Sequence, residues 1–366
     1  MAGGPADRDM DERVFGELVG LLSPLLRGME MLGLVSRHFH PPQFADLAGL
    51  IAGADVALLN ARARLTAWPE RLGEVKGALE AAADEALAAF DGLGAAFDEG
   101  DLRHGFRALR HLARAQEALY PLAGMPPVSR YFIEPARRAD GDLLTRLAAA
   151  GSPPGTGVFH FDNEREERGG FSVYVPEYYD ADRAWPLVVA LHGGSGHGRS
   201  FLWSWLRDAR SHGAILIAPT STGPTWAISG EDEDTPNIER ILAFAAERWS
   251  IDPQRRLLTG MSDGGTFAYV SGLEGASPFT HLAPVSASFH PMLAEFADRE
   301  RLRNLPIRIV HGALDWMFPI EVPRQAFQAL SMAGADVSLT ELADLSHTYP
   351  YEQNPGLLEW LAAERG

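Results

Sequence analysis

Leu257-Leu258-Thr259-Gly260-Met261-Ser262-Asp263-Gly264-Gly265 reads as the end of a buried strand, a sharp turn carrying a serine, and the start of a helix. Gly260, Ser262 and Gly264 form the pattern G-x-S-x-G, a nucleophile elbow. A serine at the tip of such a turn sits in strained backbone that lifts its hydroxyl clear of the sheet. A side chain two residues to either side would collide with the neighbouring strand or helix, so glycine belongs there. The pattern occurs once, after an apolar run and ahead of Thr266-Phe267-Ala268-Tyr269-Val270, which continues it as a helix.

Outward from this turn, strands alternate with helices. Val158–Phe161 and Phe171–Val175 flank the charged turn Asn163–Gly170 and predict an antiparallel hairpin. Pro186–Leu191 is a continuous apolar run, as expected of a strand covered on both faces. A helix over Ser200–Ala209, a strand over Ala214–Ala218 and a helix opened by Thr235-Pro236 precede the strand Arg256–Leu258. Beyond the elbow come strands at Leu282–Val285, Ile307–Val310 and Val337–Leu342, with helices near Ile320–Met332 and Leu357–Arg365. This alternation predicts a mostly parallel sheet with helices on both faces. Ligands of such sheets bind at the carboxyl ends of the strands, where Ser262 falls.

A serine hydroxyl is a weak nucleophile until a base takes its proton, and the base must be oriented by a third group. Ile307–Val310 leads into His311-Gly312-Ala313-Leu314-Asp315, and Val337–Leu342 leads into Ala343-Asp344-Leu345-Ser346-His347. Asp315 and His347 are therefore expected in loops on the same sheet edge as Ser262, in the chain order serine, acid, histidine. Asp344 is nearer to His347 in sequence, but an aspartate three residues away in a loop more often fixes the turn. His281 precedes a strand, and His290 precedes the acid, so neither suits the base. An oxyanion hole is expected from the backbone N–H of Asp263 and that of Gly194, in the loop His192-Gly193-Gly194-Ser195-Gly196, with Gly194 preferred to Ser195. Glycine-rich loops also cradle phosphates, but no G-x-x-x-x-G-K-[S/T] occurs, and Lys76 is the sole lysine.

Leu191-His192-Gly193-Gly194, Gly260-Met261-Ser262-Asp263-Gly264-Gly265, His311-Gly312-Ala313-Leu314-Asp315 and Ser346-His347 together carry a resemblance. From about Val158 to Gly366 the chain resembles a bacterial α/β-hydrolase of the phospholipase/carboxylesterase type, whose relatives include feruloyl-esterase and polyhydroxybutyrate-depolymerase-like predicted esterases. The resemblance implies a Ser262, Asp315 and His347 triad, a carboxylesterase reaction through an acyl-enzyme, and neither metal nor organic cofactor. The chain departs from that pattern at Trp316-Met317-Phe318-Pro319, where a small or aliphatic residue is usual before the proline. Trp203, Trp205, Trp226, Phe289 and Trp316 fall near the strand ends and are candidates to line an apolar acyl or aryl pocket. The expected substrate is a small or aryl carboxylic ester, with feruloyl, thioester and phospholipid esters, or a peptide bond, as rivals, and a non-catalytic interaction protein as the alternative to an enzyme.

Upstream, residues 11 to 124 repeat apolar residues at helical spacing without strand signals, and a helical bundle is expected. Pro24 should end or bend the first segment, Leu47–Leu58 and Leu72–Phe90 form the next two, and Asp101 should cap a fourth. The expected organisation is an all-α domain over 1–124, a connector over 125–156 with a short helix at Asp142–Ala150, and a catalytic domain over 157–366. The apolar stripes of the bundle must be covered, within it, as a cap over the catalytic face, or in a homodimer. His38-x-His40 has no carboxylate at ligand spacing, and Glu231–Asp234 reads as a solvated loop rather than a metal site.

Composition bounds the remaining readings. A formal charge of −17, with no basic stretch, argues against nucleic acid as a partner. The chain lacks cysteine, which removes thiolate nucleophiles and Cys-ligated zinc. Residues Met1–Asp11 show no basic and apolar leader pattern, and no uninterrupted apolar run reaches the ~18–20 residues of a membrane span, so a cytoplasmic protein is expected.

Overall fold

The computed structural model describes residues 5–151 and 153–363, with the side chains of residues 5–9 set aside. Residues 1–4 of the expected leaderless N-terminus, and the last residues of the expected C-terminal helix, lie outside the described residues. The chain divides into two compact units, Met1–Phe132 and Ile133–Gly366.

The first unit is all helical: α1 (Pro5–Arg37), α2 (Phe44–Ile51), α3 (Val56–Ala63), α4 (Gly73–Glu99), α5 (Leu102–Leu119) and α6 (Pro126–Tyr131). Its packing depends on small residues. A Cβ on Gly92 would stand 2.8 Å from that of Ala108, so α4 and α5 approach closely, and one on Gly105 of α5 would overlap the ring of Phe39, just beyond α1. Rings of Phe39, Phe44, Phe97 and Phe106 gather beside them at 5.0–6.1 Å. Asp101 caps α5 as expected, its carboxylate accepting the N–H groups of Arg103 (2.8 Å) and His104 (3.0 Å). The ligating atoms of Glu99, Asp101 and His104 lie within 4.8 Å of one another, and the capping bonds account for the position of Asp101.

One helix boundary differs from expectation, and one expected alternative is removed. Pro24 lies inside α1 and does not end it. An interior proline costs ~3 kcal/mol, but Leu21, Leu22, Leu25, Met29 and Leu32 around it are buried, and each buried side chain returns ~1.5–3 kcal/mol. The segment Leu47–Leu58 is split at Gly53, whose φ of +71° no helix accommodates. Among the described residues, Met10–Arg37 is a helix long and apolar enough to cross a membrane, although charges interrupt its apolar run. Within its unit, 44% of the most apolar window of that helix is buried, as in the core helix of a bundle.

The second unit opens with α7 (Gly141–Ala150) and contains one eight-stranded sheet. Its strands are β1 (Gly157–Phe161), β2 (Phe171–Val175), β3 (Trp185–Leu191), β4 (Ile215–Pro219), β5 (Ile251–Met261), β6 (His281–Val285), β7 (Pro306–Gly312) and β8 (Asp336–Leu342), in the spatial order 1-2-4-3-5-6-7-8. β1 pairs antiparallel with β2, and β2 with β4; every other pairing is parallel. The helices between strands are α8 (Gly198–Phe201), α9 (Leu206–His212), α10 (Asp234–Ala246), α11 (Asp263–Gly272), α12 (Met292–Phe296), α13 (Arg299–Leu302), α14 (Glu321–Met332) and α15 (Asn354–Ala362). This is the α/β-hydrolase arrangement, with the fully buried β3, β4 and β6 at the centre of the core. The single helix expected over Ser200–Ala209 is instead α8, a 3₁₀ turn and α9.

Candidate active site

At the carboxyl end of β5 the backbone turns sharply through Ser262, whose φ of 55° and ψ of −121° depart from any ordinary L-residue well. The Ser262 N–H donates to the Val285 carbonyl on β6 (2.9 Å), and its own carbonyl accepts the Thr266 N–H (2.8 Å) at the start of α11. The glycines are enforced by contact. A Cβ on Gly260 would stand 2.5 Å from the Gly264 backbone, and one on Gly264 would stand 2.4 Å from the His192 carbonyl oxygen. Strand, turn and helix therefore cross at backbone separation, with the serine side chain as the projecting group.

β7 ends at Gly312 and delivers Asp315; β8 ends at Leu342 and delivers His347. The imidazole Nε2 lies 3.0 Å from Ser262 Oγ, and Nδ1 lies 2.8 Å from Asp315 Oδ2. The second oxygen, Oδ1, accepts the N–H groups of Met317 and Phe318, each at 2.9 Å. Burial works against ionisation of Asp315, but the bond to His347, its charge, and these two N–H groups outweigh it and hold the carboxyl below its ordinary range. A carboxylate so fixed orients the imidazole and stabilises its protonated form. Ser262, Asp315 and His347 are 6%, 8% and 5% exposed, so the chain of bonds is largely shielded from water.

The rivals are placed elsewhere. Asp344 is exposed in the turn before His347, whose Nδ1 partner is Asp315. His281 sits at the opposite, amino end of β6, edge-on to Trp360, and His290 is exposed.

The Gly-rich loop after β3 stands against the elbow: a Cβ on Gly193 would lie 3.5 Å from that of Ser262. The N–H of Ser195 donates to the Pro224 carbonyl (3.1 Å), whereas the N–H groups of Gly194 and Asp263 meet no protein acceptor among the described residues. The arrangement favours Gly194 over Ser195 as a donor. His192 fixes the loop from beneath, with Nδ1 against the Gly193 carbonyl (2.7 Å) and Nε2 accepting the Ser221 N–H (3.1 Å). Burial dominates its titration and lowers its pKa to about 3, so it stays a neutral strut.

Several supports carried no signal in the sequence. Arg168, in the charged turn between β1 and β2, donates to the carbonyls of Gly196 (2.7 Å) and Gly223 (2.9 Å) and to the Ser221 hydroxyl. Asp234 is not a solvated loop residue: it is 1% exposed and accepts the N–H groups of Thr222 (2.7 Å) and Ala227 (2.8 Å). His311 is fully buried, with Nε2 bonded to the Phe318 carbonyl at 2.8 Å and 3.5 Å from Asp315 Oδ2.

Four of the five aromatic side chains expected to line a pocket are packed into the protein instead. Trp226 donates through Nε1 to the His192 carbonyl (2.7 Å) and stacks on Phe267. Phe289 packs edge-on against Tyr269, and Trp203 and Trp205 are 4% and 0% exposed, so all four belong to the core. Their apolar bulk fits burial better than a water-filled mouth, which the sequence pattern did not distinguish. Trp316 is the exception, exposed beside His347 with ring centroids 5.8 Å apart. Two surface clefts, one at Leu187, Ile251 and Arg256 and one at Phe159, Phe161 and Trp249, are not lined by Ser262, Asp315 or His347; the first lies at the amino ends of the strands.

No protein-family model matches the chain. Over 213 residues, 56% of its length, it is 28% identical to a bifunctional acetylxylan esterase/xylanase of Neocallimastix patriciarum and spans 30% of that protein. Among solved structures, a thermostable esterase is similar with a TM-score of 0.46 and 22% identity, covering 56% of this chain and 61% of that one. A ferulic acid esterase is similar with a TM-score of 0.47 and 16% identity, covering 56% of this chain and 96% of the other.

Proposed function

We propose that the unit Ile133–Gly366 is a serine carboxylesterase that hydrolyses small or aryl esters through an acyl-enzyme. The observation that carries this reading is the bonded series Asp315–His347–Ser262, assembled at 2.8 and 3.0 Å from the ends of three different strands. The similarity to a protein named as an acetylxylan esterase supports an ester as the substrate.

Each step then falls to a named group. His347 Nε2 takes the proton of Ser262 Oγ as the oxygen attacks the ester carbonyl. Charge developing on the carbonyl oxygen is met by the N–H groups of Gly194 and Asp263, the latter also at the positive end of α11. The tetrahedral adduct collapses as His347 gives its proton to the departing alcohol oxygen, leaving an acyl ester on Ser262. Water, deprotonated by the same nitrogen, attacks that ester, and the acid leaves as His347 returns the proton to Ser262 Oγ.

A fluorophosphonate probe tests the assignment. Ser262 should be the one serine labelled, and Ser262→Ala should lower kcat on a short-chain p-nitrophenyl ester by at least ~10³-fold. A label mapped to another serine, or undiminished turnover by the variant, would refute it.

A further inference from the structure

Resting on that reading, we propose that Trp316 is the platform for the departing alcohol, and that it selects esters of flat aryl alcohols over esters of small aliphatic ones. The alcohol oxygen must receive its proton from His347 Nε2, so the alcohol leaves within hydrogen-bond reach of the imidazole. A side chain that flanks that ring on its open side is therefore within reach of the departing alcohol.

Two aromatic rings flank it, Trp316 at 5.8 Å with an interplanar angle of 67°, and Phe318 at 5.5 Å and 77°. Phe318 is tied into the turn at both backbone ends, its N–H on Asp315 and its carbonyl on His311. Trp316 is 43% exposed, between Leu314 at 39% and Met317 at 45%. An indole held out to water gives up the burial that ordinarily stabilises it. It is also held in place: Asp315 Oδ1 bonds the N–H groups of the two residues that follow Trp316, so its backbone is fixed in the turn that carries the acid. An exposed aromatic face beside the base, carried on a fixed backbone, suits a flat apolar ring, which stacks on it without ordering a loop. The buried Trp203, Trp226 and Phe289 offer no comparable face. Aromatic recognition therefore falls on the alcohol side of the scissile bond.

The test compares phenyl acetate with methyl acetate, which share an acyl group, and methyl benzoate with methyl acetate, which share an alcohol. In Trp316→Ala the ratio of kcat/KM for phenyl over methyl acetate should fall ~3- to 10-fold relative to the same ratio in the unaltered protein. Trp316→Phe should keep most of it, and the benzoate-to-acetate ratio should move less than ~2-fold. Fluorophosphonate labelling of Ser262 gauges whether each variant is folded, and Trp316→Leu, which retains bulk without a ring, supplies the same ratio should the alanine variant not fold. An unchanged phenyl-to-methyl ratio in the ring-less variants overturns the proposal, as does a loss confined to benzoate. Unaltered protein that hydrolyses none of the three esters overturns the esterase reading itself, whereas active protein with an insensitive ratio overturns only the role of Trp316.

Discussion

Gly194 and Asp263 face each other across the nucleophile turn so closely that a Cβ on Gly194 would stand 2.6 Å from Asp263 Oδ2. That carboxylate is itself held, accepting the hydroxyl of Thr225 at 2.5 Å. Gly194→Ala should therefore push either the loop or the carboxylate aside and misalign the Gly194 N–H. We expect kcat to fall ~10- to 100-fold, short of the ~10²–10³ for complete loss of an oxyanion donor, with the melting temperature nearly unchanged. Steady-state kinetics beside a thermal melt checks this; an unaffected kcat would remove Gly194 from the oxyanion site.

The acid is assigned by a pair of variants. Asp315→Asn should cost ~10³–10⁴ in kcat by leaving the imidazole in the wrong tautomer. Asp344→Asn, in an exposed turn, should cost far less. Reversed losses in the same ester assay would move the role to Asp344.

Stability should depend on pH through Asp208. It is almost wholly buried, and burial, opposed by the hydrogen bond from Asn354 and aided by the charge of Glu134, raises its carboxyl to about 7. A carboxyl whose folded pKa lies above its unfolded one contributes stability that is complete below the unfolded value and lost as pH rises through the folded value. The gap from the ordinary 3.8 to about 7 is worth at most about 4 kcal/mol. Asp208→Asn should thus gain thermal stability relative to the unaltered protein as pH is raised from 4 to 8 in a series of melts. A constant difference across that range would show that Asp208 does not titrate there.

The homodimer expected from the helical stripes has a place to be tested. Phe15, Val19, Val56 and Leu59 of the first unit are 66%, 49%, 50% and 52% exposed. We expect light scattering to give twice the 39.8 kDa chain mass, and Phe15→Glu with Leu59→Glu to halve it. A monomer mass for the unaltered protein ends that expectation.

What could be read in the sequence was what sterics or topology forces into residue type. Gly260 and Gly264 are legible because backbone fills the space a side chain would need. Asp315 and His347 are legible because each follows a recognisable apolar strand whose end must reach the edge where Ser262 lies. Arg168 was not, because its partners are mainly backbone carbonyls, which every residue possesses. At Pro24 the local cost of proline was legible, and the packing that lets α1 run on through it was not. The aromatic residues misled for a related reason. Trp226 and Trp316 are alike in composition and proximity to a strand end, and only the packing puts one under the His192 loop and the other in water.

Arg168 also sets a rule for altering this scaffold. One guanidinium spans the β1–β2 turn, the glycine loop and the segment at Gly223, and most of its grip is on peptide oxygens. Such a clasp is indifferent to which side chains the two loops carry, but it measures where their backbones run. Loop sequences taken from another protein should be accepted when they match in length, whereas a single inserted or deleted residue near Gly196 or Gly223 would leave a half-buried cation short of its carbonyls. At this edge of the sheet the freedom to diversify lies in residue identity, and the constraint lies in chain length.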